Sequence, residues 1–243
     1  MYNNSASPFA GLTPVVKNLI IINVICFLGT MIFDQANRLF GVYYLDSPFF
    51  KIWQIITYMF MHGGFSHIFF NMFALFMFGP VLEQVLGSKR FLNYYLITGL
   101  GALALQFGVQ ALEVYQITGT VSASQWLRFD MFQGLVYSNH PALTQEGFNK
   151  LVSVYNTPMV GASGAIYGLL IAFGYLFPNT PLMLIFLPVP IKAKYFIPVM
   201  ILIELVLGMS RTGTSVAHFA HIGGALFGFL LIKLWGVRRP GYW

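Results

Sequence analysis

The sequence predicts an all-α polytopic membrane protein, a single bundle of six transmembrane helices. Three observations predict it. Only 8% of the 243 residues are Asp, Glu, Lys or Arg and 57% are hydrophobic, where a soluble domain carries roughly 25% charge. The apolar residues gather in six runs, with a mean hydropathy of +0.72. Lys and Arg collect on alternate connections between those runs. So few charges cannot coat a water-facing surface, which excludes disorder, a nucleic-acid-binding domain and an ordinary soluble globule.

A helix rises about 1.5 Å per residue, so crossing ~30 Å of hydrocarbon takes roughly 20 apolar residues. After a tail at 1–14, the first run covers 15–33; it is long and lacks a small-residue cleavage site, so no cleavable signal peptide is expected. It holds Cys26, the single cysteine, a packing residue that excludes an intrachain disulfide or a Cys-based metal site. Residues 34–65 carry charges and aromatics (Tyr43, Tyr44, Phe49, Phe50, Trp53) and read as a segment lying partly in the interface. The second run is 66–86 and the third 91–112. Residues 113–159 are polar by local standards and form the one long excursion, with a short helix near 143–154. The fourth run is 161–177. The fifth is 195–209, preceded by an apolar stretch at 182–191 riding the interface. The sixth is 216–235, and 236–243 is a tail. Residues 15–235 thus form one core without a second domain or internal repeat.

Orientation follows from the bases. With a cytoplasmic N-terminus, Lys17, Lys89, Arg90, Lys192, Lys194, Lys233, Arg238 and Arg239 lie inside. Arg38, Lys51, Arg128, Lys150 and Arg211 lie outside, offset there by five acids. Both termini are therefore placed in the cytoplasm and 113–159 outside it. The compact core points to a bacterial inner membrane.

A polar side chain in the bilayer is costly unless partnered, so each one needs a reason. The set is His62, His67, Asn71, Ser163, Glu204, His218 and His221. The second, fourth and sixth spans run in the same direction. His67 and Asn71, Ser163, and His221 stand near their starts, so all fall at one depth in the outer membrane half, as a site requires. Ser163 lies in Gly161-Ala162-Ser163-Gly164. A helix from there to residue 177 is about 22 Å long and starts below the surface, where its free N–H groups must meet water or a ligand. Those groups and the helix dipole suit a serine nucleophile whose substrate develops an oxyanion. Gly164 and Gly168 face, by spacing, the Gly224 and Gly228 pair beside His221, and two smooth faces permit close approach of imidazole to hydroxyl. Tyr167, one turn below Ser163, can pack against that ring. His218, one turn above His221, remains an alternative base. His67 and Asn71 share a helix face and both can donate to an oxyanion; His62 offers a third donor. No carboxylate is expected where a triad needs one. Glu204, well along the fifth span, is expected to bond a neighbouring polar group.

With these residues assembled, the chain resembles the rhomboid family of intramembrane serine proteases. The matching pieces are Trp53-Gln54, Met61-His62-Gly63-Gly64-Phe65-Ser66-His67-Ile68-Phe69-Phe70-Asn71, Leu86-Gly87-Ser88, Gly161-Ala162-Ser163-Gly164-Ala165-Ile166-Tyr167-Gly168 and Ala220-His221-Ile222-Gly223-Gly224. The resemblance implies a six-helix rhomboid bundle and a Ser163–His221 dyad, with Ser163 as nucleophile and His221 as general base and acid. Tyr167 would support the imidazole. His62, Asn71 and the Ser163 N–H would form the oxyanion hole. His67, Gly161 and Gly164 would shape the pocket. The implied activity is a serine endopeptidase cutting transmembrane, single-span proteins near the outer face, with no cofactor, metal or nucleic acid. The fifth span and the 208–215 loop would form a movable gate. Two departures stand out: Trp53-Gln54 replaces the common Trp-Arg, which bears on how the first loop is ordered, and 113–159 is long enough to add a substrate contact or lid. Rival readings are a non-hydrolytic relative that binds membrane helices, and a transporter with a proton path through His67, His218 and His221. The transporter would call for internal symmetry and a carboxylate near those histidines, neither of which is apparent.

Overall fold

The computed structural model describes residues 11–130, 135–140, 143–184, 187–210 and 217–240. Parts of both tails (1–10 and 241–243) and most of the expected gate loop (211–215) lie outside the described residues. In chain order the helices are α1 (Pro14–Ile32), α2 (Ala36–Phe40), α3 (Gln54–Thr57), α4 (Phe65–Leu86), α5 (Ser88–Thr118), α6 (Gln145–Asn156), α7 (Ser163–Leu176), α8 (Ala193–Met209) and α9 (His218–Leu234). A 3-10 turn, Tyr58–Phe60, follows α3. The six apolar runs become α1, α4, α5, α7, α8 and α9. Three of these, α1, α4 and α5, are long and apolar enough to cross a membrane, and α7 and α9 are shorter apolar helices.

Two features add to the sequence reading. The helix of the third run outlasts residue 112: α5 continues to Thr118 and stops where Gly119 turns left-handed at φ 73°, its N–H bonding the Tyr115 carbonyl at 2.8 Å. The first residues of the 113–159 segment are therefore helical. The fold is the all-α polytopic class that the sequence predicts, with two short hairpins beside the helices. Antiparallel hairpins form from β1 (Leu127–Asp130) with β2 (Leu135–Ser138), and from β3 (Pro181–Leu184) with β4 (Leu187–Lys192). The second is the stretch expected to ride the interface. It tolerates Pro188 and Pro190 because a two-stranded hairpin has only edge strands, where a missing N–H costs no ladder bond.

The outer surface of the bundle is apolar. Ile25, Met31 and Ile32 of α1, Phe69, Phe70 and Phe76 of α4, and Leu202, Ile203 and Val206 of α8 are all exposed. Water would penalise such a surface, while lipid tails solvate it. At the bundle's centre stands α7, bordered by α4, α5, α8 and α9. Its small-residue face is packed to contact. A Cβ added at Gly224 would sit 1.9 Å from the Gly164 carbonyl oxygen, and one at Gly228 would sit 2.8 Å from Gly168 Cα. One at Gly168 would sit 2.7 Å from Thr98 Cβ. Only glycine lets α5, α7 and α9 approach this closely.

Polar ties hold the periphery. The Glu83 carboxylate, near the end of α4, accepts from the N–H groups of Val15 (3.1 Å) and Val16 (3.0 Å) and from the hydroxyls of Thr13 (2.5 Å) and Ser88 (2.6 Å). It thereby satisfies free donors at the α1 N-terminus. Gln54 is 1% exposed and orders the first loop: its amide donates to the carbonyls of Leu39 (3.3 Å) and Phe49 (3.2 Å), and its oxygen accepts from the Lys51 N–H (2.9 Å). The substitution that put the loop's order in question thus supplies its own bonds. The excursion packs on this loop through Tyr44, Val114, Leu127, Leu151, Val154 and Tyr155. Asp46 accepts from the Tyr155 hydroxyl (2.6 Å), the Ser122 hydroxyl (2.8 Å) and the Ala123 N–H (3.1 Å). Burial and the Asp46 carboxylate push the Tyr155 phenol up, so it stays a donor at any ordinary pH.

Candidate active site

The chain entering α7 is clamped before it reaches Ser163. Met159 and Val42 exchange backbone hydrogen bonds of 2.9 and 2.8 Å, and the Gly161 N–H donates to the Tyr58 carbonyl at 2.9 Å. Gly161 has φ 130°, and a Cβ there would lie 2.7 Å from His67 Nε2 and 3.6 Å from Ser163 Oγ. A side chain at this position would therefore be strained and would fill the space between those two groups. Ser163 is the first residue of α7, so its backbone N–H has no intrahelical acceptor.

The hydroxyl of Ser163 meets His221 from α9, with Oγ 2.7 Å from Nε2. The Tyr167 ring stacks on the His221 ring with centroids 4.4 Å apart and planes 6° apart, which fixes the imidazole plane. His218 does not reach the serine: its Nδ1 is 2.6 Å from Glu204 Oε2, and its ring centroid is 6.4 Å from that of His221. Of the two candidate bases, His221 is the one in contact.

Across the site stand the groups of α4 and the turn before it. The Gly63 N–H donates to His67 Nδ1 at 3.4 Å, and Nε2 is turned toward Gly161. His62 packs edge-on to His67 with centroids 5.0 Å apart. It is 1% exposed, and neither of its ring nitrogens makes a well-formed hydrogen bond. Burial and the His67 ring push the His62 imidazole down to about 4, so at neutral pH it is uncharged with one N–H to give. Asn71 Nδ2 is likewise buried without a partner. A buried donor left unpaired costs stability, and Asn71 Nδ2 is such a donor.

The sequence did not bring Glu204 here, and the structure does. Its carboxylate arrives from α8. Oε1 accepts from the Tyr167 hydroxyl at 2.5 Å, Oε2 takes the 2.6 Å contact with His218, and Oε2 lies 3.0 Å from His221 Nδ1. The expectation that no carboxylate stands near His221 is overturned. The signal was present in part: Glu204 is an acid well inside an apolar span and sits at the depth of His221, but its partners lie 14, 17 and 37 residues away with no spacing rule to reveal them.

A Rhomboid domain family model matches residues 50–238. The chain belongs to the rhomboid family. It is 30% identical over 180 residues to the putative rhomboid protease YdcA of Bacillus subtilis, covering 74% of this chain and 65% of that one. It is 29% identical over 189 residues to the rhomboid protease AarA of Providencia stuartii, covering 74% and 54%. To the mitochondrial Rhomboid protein 1 of Saccharomyces cerevisiae it is 27% identical over 177 residues, covering 73% and 40%. The chain thus spans less than two thirds of the length of each of these relatives. Family membership and the apolar helices together make this rhomboid an integral membrane protein.

Glu204, His218 and His221 place three potential metal-ligand atoms within 4.8 Å of one another. Two ligands of a tetrahedral zinc ion stand about 3.3 Å apart, from bonds near 2.0–2.1 Å. The separations of 2.6 and 3.0 Å in this rhomboid instead match charge-assisted hydrogen bonds and ion pairs. The cluster fits proton-holding chemistry better than metal binding.

Proposed function

We propose that this rhomboid is an intramembrane serine endopeptidase in which Ser163 is the nucleophile and His221 the general base and acid. The observation that carries the reading is the 2.7 Å contact between Ser163 Oγ and His221 Nε2 at the N-terminus of α7. A serine hydroxyl is a weak nucleophile until an adjacent base takes its proton. Ser163 attacks the substrate carbonyl as its proton moves to His221 Nε2. The oxyanion is met by the Ser163 N–H, by the Asn71 amide, whose buried Nδ2 then gains a partner, and by the His62 ring. His221 protonates the leaving amine, and afterwards takes a proton from the water that releases the acyl group.

The substrate is a membrane protein with a single span, cut near the outer face. Its helix must unwind locally, because a carbonyl held by an intrahelical hydrogen bond is not open to attack. Residues 15–235 form the protease core, both termini lie in the cytoplasm, and the host membrane is a bacterial inner membrane. The charge bias supports this orientation. The test is incubation in detergent with a panel of tagged single-span proteins. The parent is expected to cut at least one of them and Ser163→Ala none. Equal cleavage by Ser163→Ala would refute the nucleophile.

A further inference from the structure

Glu204 occupies a place that the pairing of Ser163 with His221 leaves unexplained. The span Ala193–Met209 reads AKYFIPVMILIELVLGM, and a carboxylate in such a helix costs several kcal/mol unless partnered. Its side chain is 13% exposed and that of His221 12%. Removing one methylene and a charge there would be the cheaper composition for a lipid-embedded helix. The carboxylate instead gathers donors from the two helices that carry the proposed chemistry: the Tyr167 hydroxyl from α7, and His218 and His221 from α9. Every one of these contacts lies around a single imidazole. Tyr167 is also the ring stacked on His221, so the oxygen that holds the Tyr167 hydroxyl also fixes the plate against which the imidazole rests.

We propose that Glu204 is a positioning residue that completes a Ser163–His221–Glu204 triad across α7, α9 and α8. This rests on the reading of Ser163 and His221 given above. An imidazole has two tautomers, and only the one with its proton on Nδ1 leaves Nε2 free to accept from serine. Oε2, 3.0 Å from Nδ1 on the ring edge opposite Ser163, selects that tautomer. In the resting site the contact is not yet a complete hydrogen bond, and Oε2 is taken more closely by His218. Such contacts tighten as charge develops. When the serine proton reaches Nε2 the ring becomes a cation, and Oε2 faces it across a poorly solvated gap where the attraction is strong. The proton balance is simple. One proton moves from Oγ to Nε2 and later to the leaving amine, Nδ1 keeps its own, and Glu204 stays ionised throughout.

His218 and Tyr167 take a different part. They keep the carboxylate partnered while His221 is neutral, which lets a charged group persist at this depth. A structural role for Glu204, binding α8 to α9, would run through the shorter His218 contact. The triad runs through His221. The two roles therefore predict different variants to be damaging.

The experiment compares the parent, Ser163→Ala, Glu204→Gln, Glu204→Asp and His218→Gln in detergent. It reads kcat and KM on a cleaved single-span protein, the rate of fluorophosphonate labelling, and thermal unfolding. Glu204→Gln keeps the shape and removes the charge. It is expected to lower kcat and the labelling rate by at least roughly 100-fold, towards the loss of about 10,000-fold found when an amide replaces a triad carboxylate, with KM within about threefold. Glu204→Asp is expected to recover activity to within about tenfold of the parent, and His218→Gln to stay within about tenfold. Glu204→Gln within threefold of the parent, beside an inactive Ser163→Ala, would overturn the triad alone. So would a His218→Gln loss as deep as that of Glu204→Gln. Activity in Ser163→Ala would overturn the underlying reading and the triad with it.

Discussion

Replacing His221 by Ala is expected to lower kcat by roughly four to six orders of magnitude, the span found when one member of a serine–histidine unit is removed. At about 1.4 kcal/mol per tenfold, this is a loss of roughly 5–8 kcal/mol in the transition state. The reason is geometric. Nε2 is the group at 2.7 Å from Ser163 Oγ, and the other histidine of α9 points to Glu204, so α9 places no second histidine to substitute as base. The His221→Ala/Ser163→Ala double variant is expected to be no worse than either single one, because the two groups act as a unit. Single-turnover assays on all three variants check this. Additive losses would mean that the two residues act separately.

Adding one methyl at Gly224 is expected to damage both stability and activity. The new Cβ would meet the Gly164 carbonyl oxygen at 1.9 Å, and neither backbone can yield without moving a helix. Overpacking of this kind costs about 1–3 kcal/mol, and occasionally more. Because His221 and Gly224 share one helix turn, separating α9 from α7 also lengthens the contact with Ser163. A displacement of about 1 Å at reacting groups can cost on the order of 100-fold in rate. Gly224→Ala is therefore expected to lower both the unfolding temperature in detergent and kcat. Gly108→Ala on α5, where a Cβ meets nothing within 4 Å, is the control and is expected to change neither. A Gly224→Ala protein as stable and active as the parent would show that the small-residue face is not under compression.

The parts legible in the sequence share a physical origin. The bilayer forces every spanning segment to be long, apolar and internally hydrogen-bonded, so the runs that become α1, α4, α5, α7, α8 and α9 stand out by composition. The same solvent makes polar residues conspicuous, which is how Ser163, His221, Asn71 and His67 were found before any geometry. Glycine spacing carried the approach of α7 to α9, now visible in the contacts of Gly164 with Gly224 and of Gly168 with Gly228. Legibility failed where water returns. The continuation of α5 past residue 112 was hidden by Glu113, Gln116 and Thr118, polar residues that a helix tolerates once it leaves the membrane. The hairpins were missed because their strands are four to six residues long and the last of them is interrupted by two prolines. Glu204 was seen as an anomaly, yet its partners could not be, because a contact among three helices has no signature along one of them.

The most direct measurement is to treat the purified protein with a fluorophosphonate and map the modified residue by peptide mass spectrometry. The account predicts one adduct, on Ser163, which disappears in His221→Ala although the serine remains. Modification of a different serine, or labelling of Ser163 at an undiminished rate without His221, would contradict it.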